Sequence, residues 1–239
     1  MKMFSLEKTV SWLDGFLDLD SFCDDSNNSL QIAREGDGVA LAAFGVDASV
    51  SFIREAAAAG AGLCIVHHGI SWGGGIRRLT GSEYAVVKAA MDANIALYAA
   101  HLPLDANMKV GNNIMIARHL GLCSVEKAFP YKGNVIGLVG TARASGRKMI
   151  GSVEIVLEKG WRVGVCSGGA GEFAVEAKAL GCDIFVTGEA NWGERVAAGN
   201  VGMDMVLAGH YETETFGVKA LAAEMSRALG VKTVFIGRE

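Results

Sequence analysis

The stretch Leu63-Cys64-Ile65-Val66-His67-His68-Gly69 decides the fold. Four apolar residues follow Gly60 and Gly62 and stop abruptly at two adjacent imidazoles. A short apolar run bounded by glycine reads as a buried strand of a parallel or mixed sheet. That strand delivers His67 and His68 to its C-terminal end, the edge where open α/β sheets place their ligands. Side chains alternate along an extended chain, so the two histidines are expected to point in different directions. On that expectation two metal ions flanking the strand end would take one imidazole each.

The pattern recurs. Ile95 to Ala100 is a second strand-like run, ending in His101-Leu102-Pro103-Leu104-Asp105; Met205 to Gly209 is a third, ending in His210-Tyr211-Glu212-Thr213-Glu214. Each run stops at a histidine with a carboxylate four residues on. In a helical turn positions i and i+4 share a face, so His210 and Glu214 can reach one site. Pro103 argues against a helix across the first copy, which leaves His101 and Asp105 on an expected loop. Imidazole nitrogen and carboxylate oxygen suit zinc, iron, manganese, cobalt or nickel without choosing among them.

Each residue taken singly has a plainer reading. A histidine after a strand is often a hydrogen-bonded rim residue, and His119, inside the helical pattern Asn112 to Leu120, keeps that reading. Asp105 alone could open a turn or cap a helix. Glu212 and Glu214 could be solvated helix charges, Glu212 being the better case. Three histidine clusters, all at strand ends, favour a metal site.

Composition narrows the class. The 239 residues are 51% hydrophobic and 20% charged, which describes a globular chain with an ample core. A formal net charge of -4 offers no basic footprint for nucleic acid or an anionic membrane. No apolar run reaches spanning length, and Met1 to Trp12 lacks the apolar core of a signal peptide. The five cysteines are far apart and form no C-x-x-C pair, which suits reduced thiols and an expected cytoplasmic location. Glycine at 32 and proline at 2 suit many tight strand–helix turns.

In chain order, a helical stripe runs from Phe4 to Leu19 with Ser5 as N-cap, and a polar turn spans Asp24 to Ser29. Val39 to Val46 is a strand, and Asp47-Ala48-Ser49 opens a helix that Gly60 ends. Gly69 to Thr80 is a glycine-rich loop holding Trp72, Arg77 and Arg78; helices follow at Ser82 to Ala93 and Asn112 to Leu120. The pattern loosens from Leu122 to Tyr131, where Pro130 marks a boundary. Strands are expected at Asn134 to Gly140, Ser152 to Leu157, Trp161 to Val165, Ile184 to Thr187 and Val231 to Ile236, with Arg147-Lys148 as a connection. Helices are expected at Ala170 to Leu180, Glu194 to Ala198 and Phe216 to Leu229.

The halves resemble each other. Gly45-Val46-Asp47-Ala48-Ser49, a helix, Gly60 and the strand ending in His67-His68 match Gly164-Val165-Cys166-Ser167-Gly168, a helix, Gly181 and the strand Ile184 to Thr187 with Gly188-Glu189. In this alignment Glu189 stands opposite His68. Such internal repetition is the mark of duplication. The expected fold class is therefore α/β: two similar lobes, 1–125 and 126–239, with mixed sheets flanked by helices and a metal site in the cleft between them.

The motifs Asn28-Ser29-Leu30-Gln31, Gly45-Val46-Asp47-Ala48-Ser49, His67-His68-Gly69-Ile70-Ser71-Trp72, His101-Leu102-Pro103-Leu104-Asp105-Ala106, Gly111-Asn112-Asn113, Thr187-Gly188-Glu189 and Gly209-His210-Tyr211-Glu212-Thr213-Glu214 occur in this order. Through them the chain resembles the NIF-three family of YbgI-like proteins, often named GTP cyclohydrolase I type 2 homologues, nearly end to end. The resemblance implies two lobes, a site for two divalent metal ions, and a homohexameric ring. By motif position it implies that His67 and Asp105 hold one metal, His68 and His210 the other, and that Glu214 bridges both. His101 would sit beside them as a ligand or a supporting partner. Two positions depart from the family pattern: Ser29 stands where glycine is usual, and Thr215 where arginine or a similar residue often follows the last glutamate.

Two ions about 3.5–4 Å apart would acidify a shared water and clamp substrate oxygens, which is hydrolytic chemistry. His101 is the candidate general base. Arg77, Arg78 and Lys109 suit surface solvation better than phosphate contact, Trp72 packing better than base stacking, and the glycine run Gly164 to Gly171 offers a weak backbone anion nest. The expected function is a metal-dependent hydrolase acting on an anionic, nucleotide-like or phosphorylated small molecule. The alternative is a non-catalytic ring that binds or delivers metal.

Overall fold

The computed structural model describes residues 3–237. Strand Phe4–Ser5 (β1) leads into helix Leu6–Leu17 (α1), whose N-cap Ser5 accepts the Lys8 N–H. Strands Ser29–Ile32 (β2), Gly38–Val39 (β3) and Leu41–Asp47 (β4) precede helix Val50–Ala58 (α2), where Ser49 accepts the Phe52 N–H. Then come Leu63–His68 (β5), Gly81–Asp92 (α3), Ala96–Ala99 (β6), Leu102–Ala106 (α4) and Asn112–Leu120 (α5). Gly121 ends α5 at φ +74°, the left-handed conformation in which a side chain would be strained. The strands Leu122–Tyr131 (β7), Asn134–Ala142 (β8), Gly146–Ile150 (β9), Val153–Leu157 (β10) and Arg162–Cys166 (β11) follow. A 3-10 turn and helix Ala174–Ala179 (α6), strand Ile184–Thr187 (β12), helix Trp192–Asn200 (α7), strand Asp204–Leu207 (β13), helix His210–Leu229 (α8) and strand Lys232–Phe235 (β14) complete the order.

By packing the chain divides into two compact units, Met1–Leu104 with Val218–Glu239, and Asp105–Gly217. These boundaries differ from a linear division at 125/126, because the end of α8 and β14 return to the first unit. In that unit five strands lie in the order β14-β4-β5-β6-β2. Strands β14, β4, β5 and β6 are mutually parallel, and β2 runs antiparallel to β6. The second unit has the order β13-β12-β11-β8-β7, with β11, β12 and β13 parallel and β8 and β7 antiparallel. Two mixed sheets flanked by helices are thus present, and each contains three consecutive parallel strands: β4-β5-β6 in one, β11-β12-β13 in the other.

Apolar spacing on the helices explains how each sheet is covered. Phe52, Ile53 and Ala56 of α2 and Val86 and Ala90 of α3 pack with Ala43, Cys64, Val66, Leu97 and Ala99. In the second unit Ile114, Ala117 and Leu120 of α5 pack with Leu138, Val163, Val165, Ile184 and Val186. Each fully buried aliphatic side chain contributes about 1.5–3 kcal/mol. Cys64 and Cys166 are buried free thiols, and burial pushes the Cys64 thiol up to about 12.

Four expectations change. Leu122 to Tyr131 is a ten-residue strand. It is the sheet edge, where exposed polar residues and Pro130 are tolerated because no further strand needs that N–H. Arg147 and Lys148 lie in β9, paired antiparallel with β10. The segment Ala170 to Leu180 breaks into the 3-10 turn Gly171–Phe173 and the short α6. Pro103 falls in the first turn of α4, where a missing N–H costs nothing, so Asp105 is helical and His101 immediately precedes the helix.

Candidate metal centre

In the first unit β5 ends in His67, fully buried, and His68, partly exposed. Each ring is pinned from a different neighbouring strand. His67 Nδ1 lies 2.9 Å from the carbonyl oxygen of Ala100, just past β6, and His68 Nδ1 lies 2.8 Å from Asp47 Oδ1 at the end of β4. His101 Nδ1 lies 2.9 Å from Asp24 Oδ1. A carbonyl or carboxylate on Nδ1 keeps the proton there and directs the lone pair to Nε2, the arrangement that orients metal-ligating histidines. The His67 and His68 rings do not diverge as strand alternation predicts: their centroids are 4.7 Å apart. Both residues still belong to β5, with His68 in register with Asp47 of β4, and the hydrogen bonds on Nδ1 fix where each ring lies. One ligand atom from each of His67, His68 and His101 falls within 4.8 Å of the others.

Asp24 is the most heavily bonded of the anchors. It accepts from His101, from the Ser26 and Leu102 N–H groups, and from the Asn28 amide. Burial pushes its carboxyl up, but the hydrogen bond and charge of His101, with Asn28 and Ser26, outweigh it and hold the group down at about 2. Asn28 Oδ1 also takes the His101 N–H at 2.8 Å. The loop after β5 is stapled by Gln31, whose Oε1 accepts the Ile70 and Ser71 N–H groups. A Cβ at Gly69 would lie 2.6 Å from that of Ala99, so the loop can turn there only without a side chain. Trp72 donates its indole N–H to the Gly69 carbonyl at 3.0 Å and stands edge-on to His101 with ring centroids 5.0 Å apart.

In the second unit α8 begins at His210 and carries Glu214 one turn later. His210 Nε2 lies 3.0 Å from Glu214 Oε1, and its Nδ1 lies 2.9 Å from Glu189 Oε1. The Glu214 hydrogen bond raises the His210 pKa to about 9; burial opposes it, and the Glu214 charge and Glu189 add to it. Gly168, at φ +67°, passes directly over this pair: a Cβ there would lie 2.5 Å from Glu214 Oε1 and 3.4 Å from His210 Nε2. The glycine run is a cradle rather than an anion nest. The Gly168 and Ala170 N–H groups are committed to the hydroxyls of buried Thr213 and Thr187. Asp105 is held on Oδ1 by Asn112 at 2.8 Å and by the Ser167 hydroxyl at 2.9 Å. Asn113 takes the Ser167 N–H and donates to the Ile136 carbonyl, fixing the same corner.

Of the expected residues, the structure brings His67, His68 and His101 together in one unit and His210 with Glu214 in the other. His119 Nε2 donates to the Met149 carbonyl oxygen, 2.8 Å away, and the ring packs on Phe216. Arg77, Arg78 and Lys109 are exposed. Sequence reasoning missed the anchors Asp24, Asp47 and Glu189 and the clamps Asn112 and Ser167. For Asp47 and Glu189 the available signal was a carboxylate at or just past the end of a neighbouring parallel strand. The donor set fits a borderline divalent transition metal: the imidazoles are oriented through Nδ1, and a side-chain-free backbone faces the His210–Glu214 pair.

The model of the Duf34/NIF3 (NGG1p interacting factor 3) family matches residues 4–239. The chain belongs to the NIF3 family. It is 40% identical over 244 residues to a Deinococcus radiodurans protein named "GTP cyclohydrolase 1 type 2 homolog", covering 96% of this chain and 92% of the relative. A Pyrococcus horikoshii protein of the same name is 38% identical, with 96% of each chain covered. Among solved structures this NIF3 chain is similar to "protein ybgI, unknown function", with a TM-score of 0.86, 27% identity and 99% of each chain covered. It is also similar to a Thermus thermophilus protein, TTHA1606, with a TM-score of 0.78, 30% identity and 99% of each chain covered. Reduced HcgD from Methanocaldococcus jannaschii shares the fold at a TM-score of 0.81 and 23% identity, covering 98% of each chain. No helix among the described residues is long and apolar enough to cross a membrane.

Proposed function

We propose that this NIF3-family protein holds two divalent metal ions and uses them to hydrolyse an anionic, nucleotide-like or phosphorylated small molecule. The observation that supports this most is the shared state of three histidines: His67, His68 and His101 each have Nδ1 against an oxygen, which directs Nε2 to act as a metal donor, while His210 has a carboxylate oxygen against each nitrogen. By motif position His67, His68, Asp105, His210 and Glu214 would hold the two ions. When bound, such a pair supplies Lewis acidity and an acidified water. His101 takes a proton on Nε2 while its Nδ1 stays on Asp24, the geometry of an oriented general base. Asn112 and Ser167 both hold Asp105 on Oδ1, so the carboxylate is positioned before any ligand arrives. The nucleotide-like class of substrate rests on the name carried by the relatives, and a homohexameric ring in the cytoplasm is the assembly the family pattern suggests.

A second reading rests on exposure. The His68 and His210 side chains are 23% and 36% accessible, open enough for ions to exchange, which suits a non-catalytic ring that delivers metal. Elemental analysis of the purified protein and of Glu214→Ala, with sedimentation to give the assembly, tests both. About two equivalents in the parent, fewer in the variant, and hydrolysis in a nucleotide and phosphoester screen that Asp105→Ala abolishes support the hydrolase. Metal that is lost to a weak chelator, with no turnover on any substrate, supports delivery. No held metal in the parent sinks both.

A further inference from the structure

In the second unit β9 and β10 form a separate two-stranded sheet, in the register Ile150↔Val153, Met149↔Glu154 and Arg147↔Val156. Gly151-Ser152 joins them, with Gly151 at φ +55°. That is a two-residue hairpin loop, closed by a hydrogen-bonded pair, here Ile150 with Val153. Bonded and non-bonded pairs alternate in an antiparallel ladder, so the backbone groups of Arg147, Met149, Glu154 and Val156 point away from the hairpin. Met149 agrees: its carbonyl oxygen, on the outer side of β9, accepts from His119 Nε2 at 2.8 Å. On the outer side of β10 the N–H and C=O groups of Glu154 and Val156 have no hydrogen-bond partner among the described residues.

The open edge is held in place from beneath. Ile150, Ile155 and Leu157 are buried in the core of the second unit and keep β10 extended, while Glu154 and Val156 are exposed. Open strand edges are ordinarily blunted by lysine, proline or a bulge. β7, an edge of the larger sheet in this unit, has all three: Lys127, Pro130 and a register shift between Cys123 and Glu126. Val153-Glu154-Ile155-Val156-Leu157 has none of them, and its composition strongly favours a strand.

Charge selects what can pair with it. A second β10, antiparallel across a two-fold axis, sets outward-pointing residues opposite each other in one of three central registers. One puts Glu154 opposite its own counterpart, and another puts it opposite Glu158 of the second copy; like charges face to face are destabilising. The register centred on Ile155 puts Glu154 opposite Val156, and each such pair exchanges two backbone hydrogen bonds. Val156 then lies between Arg147 of its own β9 and Glu154 of the second copy, so opposite charges flank it.

We infer that the outer edge of β10 pairs antiparallel with β10 of a second copy of this chain, centred on Ile155, to make one continuous sheet β9-β10-β10-β9. Such a contact uses the same patch on both copies and closes on itself. It rests on strand geometry and charge, independently of the hydrolase reading, and uses none of the proposed metal ligands.

Sedimentation of the full chain, with cross-linking, tests this. Val156→Pro removes an N–H that makes no bond within the hairpin, so the variant is expected to fold, which circular dichroism checks. The parent is expected to sediment as an even-numbered assembly, and Val156→Pro at half that number at the same concentration. Register is read in a mixture of Glu154→Cys chains with Val156→Cys chains. Mild oxidation is expected to link position 154 of one chain to position 156 of another about tenfold faster than either variant links to itself, because only that pair comes within disulfide reach. Mass spectrometry of the linked peptides identifies the pair. A monomeric parent, an assembly number unchanged in Val156→Pro, or linking no faster in the mixture than in the single variants would each overturn the proposal. If Val156→Pro does not fold, the cross-linking decides alone. A ring that persists in Val156→Pro strikes this contact and leaves the metal-dependent reading untouched, so the two fail separately.

Discussion

Glu189 follows β12 where His68 closes β5, and its Oε1 lies 2.9 Å from Nδ1 of His210. The aligned positions of the two repeats have therefore taken different tasks: one is a metal donor in our proposal, the other orients a donor. Asp47 does for His68 what Glu189 does for His210. Glu189→Gln keeps an acceptor of the same shape and removes the charge. Metal affinity measured by competition with a chromophoric chelator is expected to fall about 10- to 100-fold, with thermal stability nearly unchanged. Equal affinity in the variant would show that Glu189 does not tune the site.

Gly168 carries a second expectation. Alanine there meets a left-handed backbone and a carboxylate oxygen 2.5 Å from the new carbon. Gly202, at φ +63° with nothing within 4 Å, is the control for backbone strain alone. Gly202→Ala is expected to cost about 1 kcal/mol and Gly168→Ala about 1–3 kcal/mol more, with metal capacity reduced only in the latter. Denaturant melts of both variants decide it; equal losses would mean Glu214 moves aside freely.

Ser29 sits at φ +86°, a conformation suited to the glycine usual at this place in the family, and its hydroxyl donates to Asp14 at 3.0 Å. Alanine removes the hydrogen bond and keeps the strain, whereas glycine removes both. Ser29→Gly is thus expected to be more stable than Ser29→Ala by about 1 kcal/mol. A reversed order in urea unfolding would show that the turn relaxes.

Much of this was legible in the chain. Strand β12 lies where its apolar run predicts, Ser5 and Ser49 cap the helices they precede, and the duplicated strand–helix frame reappears as matching parallel triplets of strands. What escaped was non-local. Asp24 lies 77 residues before His101, and Ser167 lies 62 after Asp105, so no spacing rule joins them. Strand β7 was hidden because an edge strand needs little apolar alternation. The direction of the His67 and His68 rings was misjudged because their hydrogen-bond anchors, rather than the pleat, set it.

Strand β14 pairs with β4 and so completes a sheet whose other members were all made more than a hundred residues earlier. During synthesis the continuous segment Asp105–Gly217 can close its own sheet first, while the earlier strands wait for the tail to leave the ribosome. A chain cut after Leu229 is therefore expected to keep residues 105–217 protected from protease and to lose protection in β4 and β5, which mass spectrometry of the fragments would read. Equal loss in both would contradict it. A stop codon that removes β14 would then yield not a slightly shorter protein but one with an unfinished half, exposed to degradation.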